Sequence, residues 1–277
     1  MFAQEFMRNA LLAGTFVALA CGVCGWFVVL RGQVFAGDAL GHVAFPGALA
    51  AAVASVDQRI GLFLATVVLA VAMGALGRGA LARRGAAAAA SAPADDTAIG
   101  VAFMFILGLG VFFLSLASAN VGTGAGVQAA RTLFGSIFGL GAGEARLAAA
   151  IALGVVLAMA VIARPLLFAS VAPEVAAARG VPTRLLGVGF LALLGVVAAE
   201  AAQAVGALLL LGLLAAPAAV AHRLTRSPGA GIALAALLAV LVTWAGLVLA
   251  YAIPSLPPSA AIVAVAVTLY GASTLLL

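Results

Sequence analysis

Two side chains in this sequence are spaced to hold a cation: Asp38 and His42, at positions i and i+4. On a helix that spacing stacks both on one face. A carboxylate oxygen and an imidazole nitrogen one turn apart supply half of a coordination shell for a divalent transition metal. The stretch around them, Leu30 to Gly47, is bounded by long apolar runs, so its polar groups lie in or against a bilayer. An ionised Asp near the bilayer centre costs about 2.5–3.5 kcal/mol on insertion scales, and a passing cation would offset that cost. Pro46 lacks the N–H that would bond the carbonyl of His42, which leaves that oxygen free in the same turn. The competing reading is architectural: a helix beginning at Ala39 would make Asp38 its N-cap, and the pair would be an intrahelical contact only.

The elements that must position this pair are membrane helices. Of the 277 residues, 66% are hydrophobic and 8% charged, with a mean hydropathy of +1.32. A soluble domain carries about 25% charged residues. The expected fold is therefore all-α, a polytopic membrane helix bundle, with residues 1–277 forming one transmembrane domain. The net charge of +5 comes from 13 basic residues, all of them Arg. That charge sits in loops, where it sets orientation. No basic stretch is interleaved with aromatics, so nucleic acid is excluded as a partner and the lipid bilayer is the expected surroundings. Cys21 and Cys24 both fall in the first apolar run and have no second pair to close a metal site, so they read as small buried hydrophobes. That first run, about 21 residues, is too long for a signal-peptide core and is expected to be a retained helix.

A span needs about 17–25 apolar residues. The runs that qualify are Ala10–Leu30, Asp38–Val56, Ile60–Leu76, Thr97–Leu116, Leu147–Ala163, Ala230–Ile253 and Ala260–Leu276. Leu185–Ala221 is too long for one crossing, since a single helix of that length would run about 55 Å. It reads as two slightly short spans turning near Glu200 and Gln203. The total is about nine transmembrane helices, with eight as the lower count. Arg131–Leu140 is too short to cross by itself and is expected to be a re-entrant or interfacial helix. An Ala/Ser/Pro linker leads up to Asp96, and Asn120–Gln128 is a Gly-rich loop. Arg164–Arg184 reads as a polar loop with one short helix over Pro173–Arg179, where Pro173 suits the first turn and Gly180 the end.

The remaining polar residues have simpler expectations. Glu200 and Gln203 fall at an outer turn, where a carboxylate is readily solvated; the sharper alternative is a second ligand pair or an acidic contact that receives a cation. His222 is expected to be structural, at an interface. Asp57, Asp95, Asp96 and Glu144 are loop charges, and Pro217 kinks its span. Arginines concentrate in alternate loops: Arg31, then Arg78/Arg83/Arg84, then Arg164/Arg179/Arg184, then Arg223/Arg226. The positive-inside rule puts those loops in the cytoplasm, the N-terminus outside and the C-terminus inside.

Val28–Gly47 resembles the signature of zinc/manganese-type ABC transporter permeases, in which an Arg precedes Gly-Asp-x-x-x-His-x-x-x-Pro-Gly. Leu133–Ile137, Ala172–Val181 and Gln203–Leu210, continuing to Ala216–Ala221, are similar to the same family in the same order. Two departures stand out: Ala172 replaces a frequent Asp, and Gly32 a frequent second basic residue. The resemblance implies the permease subunit of an ATP-driven importer in the inner (plasma) membrane of a bacterium, with Zn2+ ahead of Mn2+ as transported ion and no permanently bound cofactor. It implies a permease homodimer, two cytoplasmic ABC ATPase subunits and an external metal-binding protein. Asp38 and His42 match the family's metal site; two copies about a two-fold axis would bring two Asp and two His together, a tetrahedral set. Pro173, Glu174, Arg179 and Gly180 match the element that couples to the ATPase. The chain has no Walker A motif and no Lys at all, so ATP would be hydrolysed on a partner and the chain is not an enzyme. Two alternatives remain: a secondary metal transporter driven by an ion gradient, which would need more intramembrane carboxylates, and an ABC permease for a metal chelate, which would need no ligands in the pathway.

Overall fold

In the computed structural model, which describes residues 4–83, 96–121, 133–207 and 210–276, the first apolar run forms α1 (Glu5–Leu30) and a tight turn leads to α2 (Val34–Val53). Gly32 makes that turn at φ +62°, a conformation that costs Gly nothing. There follow α3 (Gln58–Arg83), α4 (Asp96–Val121), a 3-10 turn at Ile137–Gly139, α5 (Ala142–Val171), α6 (Pro173–Ala178), α7 (Thr183–Ala204), α8 (Leu210–Leu224), α9 (Pro228–Ala252) and α10 (Pro258–Leu276). Among the described residues all regular structure is helical. Seven of these helices are long and apolar enough to cross a membrane, and the stretches Met104–Ala119 and Leu210–Leu224 are shorter apolar helices.

Local chemistry explains the starts. Asp57 precedes α3 and its Oδ1 accepts the N–H of Arg59 at 2.8 Å, an N-cap in place of the plain loop charge expected. Glu144 likewise accepts the N–H of Gly141 at 3.0 Å and starts α5 earlier than the apolar run does. Pro228 and Pro258 open α9 and α10, where a missing N–H costs nothing.

α1 is the post of one half of the bundle, packed on α5, α7, α8 and α9. α2, α3 and α4 form the other half, with α7 touching both groups. Lipid gives helices no hydrophobic drive to associate, so close backbone approach and van der Waals contact carry the packing. Gly22 illustrates it: a Cβ there would lie 2.6 Å from the carbonyl oxygen of Ala235 on α9. Cys21 and Cys24 are fully buried free thiols in this core, as expected of small hydrophobes.

Several expectations are corrected. α2 begins at Val34, not near Asp38, so Asp38 is inside the helix and caps nothing. α5 runs on through Arg164 and Pro165 to Val171, so much of the expected polar loop is helix. Of Arg131–Leu140, the described residues are helical at Leu133 and Phe134 and form a 3-10 turn at Ile137–Gly139. The turn wedges in through Ile137, 2% exposed, with the Asn9 side chain donating to the Leu140 carbonyl at 3.3 Å. The Ala/Ser/Pro linker, most of the Gly-rich loop and Arg131 itself lie outside the described residues.

The break between α7 and α8 falls just after Gln203, and there two loops cross with no room for side chains. Gly206 has φ +105° and a Cβ on it would sit 2.5 Å from the Leu133 carbonyl oxygen; Gly135 has φ +74° and faces Val205 and Gly206. Gly206→Ala should cost the backbone strain of about 1–3 kcal/mol and the clash besides. Monodisperse protein recovered in detergent should fall several-fold, a result checked by size-exclusion chromatography; unchanged recovery and melting temperature would refute the crossing.

Candidate functional site

α2 brings Asp38 and His42 onto one face because the helix starts a full turn before Asp38. Along the axis Asp38 lies about 6 Å and His42 about 12 Å from the first residue, Val34. The pair therefore sits between the Arg31 end of α2 and its middle. The neighbouring face carries Gly37, Gly41, Ala44 and Ala48. Gly37 meets Leu214 of α8, Gly41 meets Leu210 and Ala207, and Ala44 and Ala48 pack with Ala199 and Ala202 of α7. Further along, Phe45 and Leu49 pack on Phe113, Leu114 and Ala117 of α4. This packing fixes the rotation of α2 and leaves the Asp38 side chain 25% and the His42 side chain 11% exposed.

The His42 Nε2 and Asp38 Oδ1 atoms are 3.8 Å apart, too far for a direct hydrogen bond. Ligand atoms about 2.1 Å from one ion can be separated by at most about 4.2 Å, so the gap is one that a shared transition-metal ion spans. Among the described residues no group of three or more His, Cys, Asp and Glu side chains comes together. Among the described residues, the pair offers one nitrogen and one oxygen within reach of a common ion.

Glu200 and Gln203 are not at a solvated turn. Both lie within α7, and Glu200 is 2% exposed. Glu200 borders a small apolar crevice with Val17 and Ala20, which are midway along α1. A carboxylate at that depth needs a partner, and Arg59 supplies it: the guanidinium Nη2 donates to Oε1 at 3.1 Å. Arg59 reaches it from the first turn of α3, its side chain 22% exposed. Gln203 carries a buried Nε2 with no hydrogen-bond partner among the described residues, while its backbone carbonyl accepts the N–H of Ser136 at 3.4 Å. Sequence reasoning missed the Arg59–Glu200 pair because 141 positions separate the two residues. The available signal was a lone carboxylate in a 37-residue apolar run.

α6 follows the expected boundaries: Pro173 at its first position, Glu174 in the first turn, Arg179 as C-cap and Gly180 beyond it at φ +79°. Glu174 and Arg179 are exposed, and Ala176 alone of the six helical residues is buried. His222 is structural, as expected: its ring stacks on Trp26 at 4.7 Å and its Nε2 is 3.0 Å from the Trp26 carbonyl oxygen.

The chain is a multi-pass helical bundle with an Asp–His pair on an inner helix. A model of the ABC 3 transport family matches residues 3–276, and the chain belongs to that family. It is therefore a membrane transport subunit and not an enzyme. It is 29% identical over 273 residues, 98% of this chain and 87% of the relative, to the manganese transport system membrane protein MntC of Halalkalibacterium halodurans. Identity to MntC of Listeria innocua is 30% over 267 residues, 96% of this chain and 88% of the relative. The chelated iron transport system membrane protein YfeD of Yersinia pestis is 26% identical over 252 residues, covering 90% of this chain and 78% of the relative. Among solved structures, PsaBC from Streptococcus pneumoniae in complex with Fab superposes with a TM-score of 0.82 at 25% identity, over 98% of this chain and 91% of that one.

Proposed function

We propose that this chain is the membrane-spanning subunit of a bacterial ATP-driven importer for a divalent transition metal, and that Asp38 and His42 ligate the ion in transit. The observation that carries this reading is the pair itself, an Asp oxygen and a His nitrogen 3.8 Å apart, with no group of three or more His, Cys, Asp and Glu side chains among the described residues. A second copy about a two-fold axis completes four ligands, and a shell split between subunits releases its ion when the subunits part. The residue types accommodate zinc, manganese or iron. The relatives' names speak of manganese and of chelated iron, which supports Mn2+ ahead of Zn2+.

In the same reading the N-terminus is outside and the C-terminus cytoplasmic, so Arg31, α6 and His222 share the cytoplasmic end. Two separate ATPase subunits dock there, through Pro173, Glu174, Arg179 and Gly180. An external metal-binding protein delivers the ion at the opposite end. Because Glu174 is exposed beside Pro173, a single cysteine at Glu174 should cross-link to a cysteine in the ATPase groove in assembled complex, with yield changing between nucleotide-free and ATP-bound states. No cross-link from any exposed position of α6 would overturn the docking.

The chelate reading has one specific support, the name of the Yersinia pestis relative. Proteoliposomes holding permease, ATPase and external protein, offered free Mn2+, decide between the two. ATP-dependent uptake of the bare ion supports the proposal, and uptake confined to a chelate removes it.

A further inference from the structure

The α1–α2 corner carries one contact set that the transport reading leaves unused. The Arg31 Nη1 donates to the Ser170 Oγ at 2.9 Å, and Arg31 Nε donates to the Gln33 Oε1 at 3.1 Å. The guanidinium carbon lies 5.6 Å from the centre of the Phe190 ring. Ser170 belongs to the last turn of α5, three residues before Pro173, and Phe190 to the early part of α7. The guanidinium therefore touches both arms that flank α6. Gln33 is the residue on which α2 begins: its N–H bonds the Val28 carbonyl at 2.9 Å and its carbonyl accepts the N–H of Gly37 at 3.2 Å. Gly37 immediately precedes Asp38.

We propose that Arg31 is the positioning residue through which the α5–α6–α7 hairpin moves α2 and so opens and closes the Asp38–His42 site. This rests on the reading of α6 as the ATPase dock and of α2 as the ligand helix. The chemistry suits the task. Arg presents a planar fork of donors that can hold Gln33 and Ser170 at once while stacking on an aromatic ring. Ser170 is itself anchored, its Oγ donating to the Leu166 carbonyl at 2.6 Å, so a displacement of α5 is carried to the guanidinium and not absorbed by a loose hydroxyl. The segment between Arg31 and the first ligand is one tight turn and one helical turn, too short to dissipate the movement.

The test uses the full complex in proteoliposomes and follows Mn2+ uptake and ATP hydrolysis together. Arg31→Gln should lower the Mn2+ imported per ATP about tenfold, within the range of about 2- to 30-fold found for residues that carry coupling. Mn2+ binding to the solubilised complex should stay within about twofold of the parent, since no ligand is touched. Arg31→Lys keeps the charge but not the fork, and should recover only part of the ratio. Ser170→Ala is the gentler variant should Arg31→Gln fail to assemble. It should lower the same ratio, and the double variant should be no worse than Arg31→Gln alone.

Uptake and hydrolysis falling in proportion, an unchanged ratio in both single variants, or additive losses in the double variant would each overturn the inference. The underlying reading fails separately. If α6 does not cross-link to the ATPase, or if uptake survives loss of Asp38 and His42, the transport scheme is wrong; if both hold and Arg31→Gln stays coupled, Arg31 alone is wrong.

Discussion

Replacing both Asp38 and His42 with alanine should reduce Mn2+ uptake about 100-fold or more while leaving the complex assembled and its basal ATP hydrolysis intact. The magnitude follows from what is removed. Loss of a single outer partner of a metal ligand already costs about 10–100-fold, and here both proposed ligands are gone. Stability should move the other way. A charge held in apolar surroundings for its cargo is a liability in the absence of that cargo, so the cation-free double variant should melt no lower than the parent, and Asp38→Asn should melt at the same temperature or slightly higher. Lost uptake with kept stability identifies a transport site. A melting point lowered together with uptake would instead make the pair structural, and normal uptake would remove the site from the pathway.

The second large effect concerns Arg59 and Glu200. Arg59→Ala should destabilise the protein by about 3 kcal/mol, because it leaves a carboxylate 2% exposed without its counter-charge. The value is set at the low end of what breaking a buried pair costs, since the Arg59 side chain is 22% exposed. Glu200→Ala should cost less, for the partly exposed Arg59 left behind at the start of α3 can reorient. The combination Arg59→Met with Glu200→Leu should return most of the stability, because two apolar side chains of similar size carry no desolvation penalty. Denaturant midpoints of the parent, Arg59→Met, Glu200→Leu and their combination in one mixed micelle test this as a double-mutant cycle. Simple additivity of the two single losses would show that the pair is not coupled.

A great deal of this protein was written in the order of its residues. Apolar runs of spanning length, interrupted by Arg-bearing turns, specify a membrane bundle because backbone groups in lipid must be satisfied within helices. The i, i+4 spacing of Asp38 and His42 already fixes their common face, and Pro173 with Gly180 fixes the short helix between two spans. These are local properties: periodicity, capping and the missing N–H of proline act over one or two turns.

What only the tertiary structure decided is which distant residues meet. Glu200 reads as a solvated turn until α3 brings Arg59 against it, and Arg31 reads as an orienting loop charge until α5 and α7 close on it. The extension of α5 through Arg164 and Pro165 likewise waited on its neighbours, as did the crossing of Gly135 and Gly206. Each of these depends on helix packing across more than 50 positions of sequence, and no pattern within a single helix encodes which partner a buried charge will find.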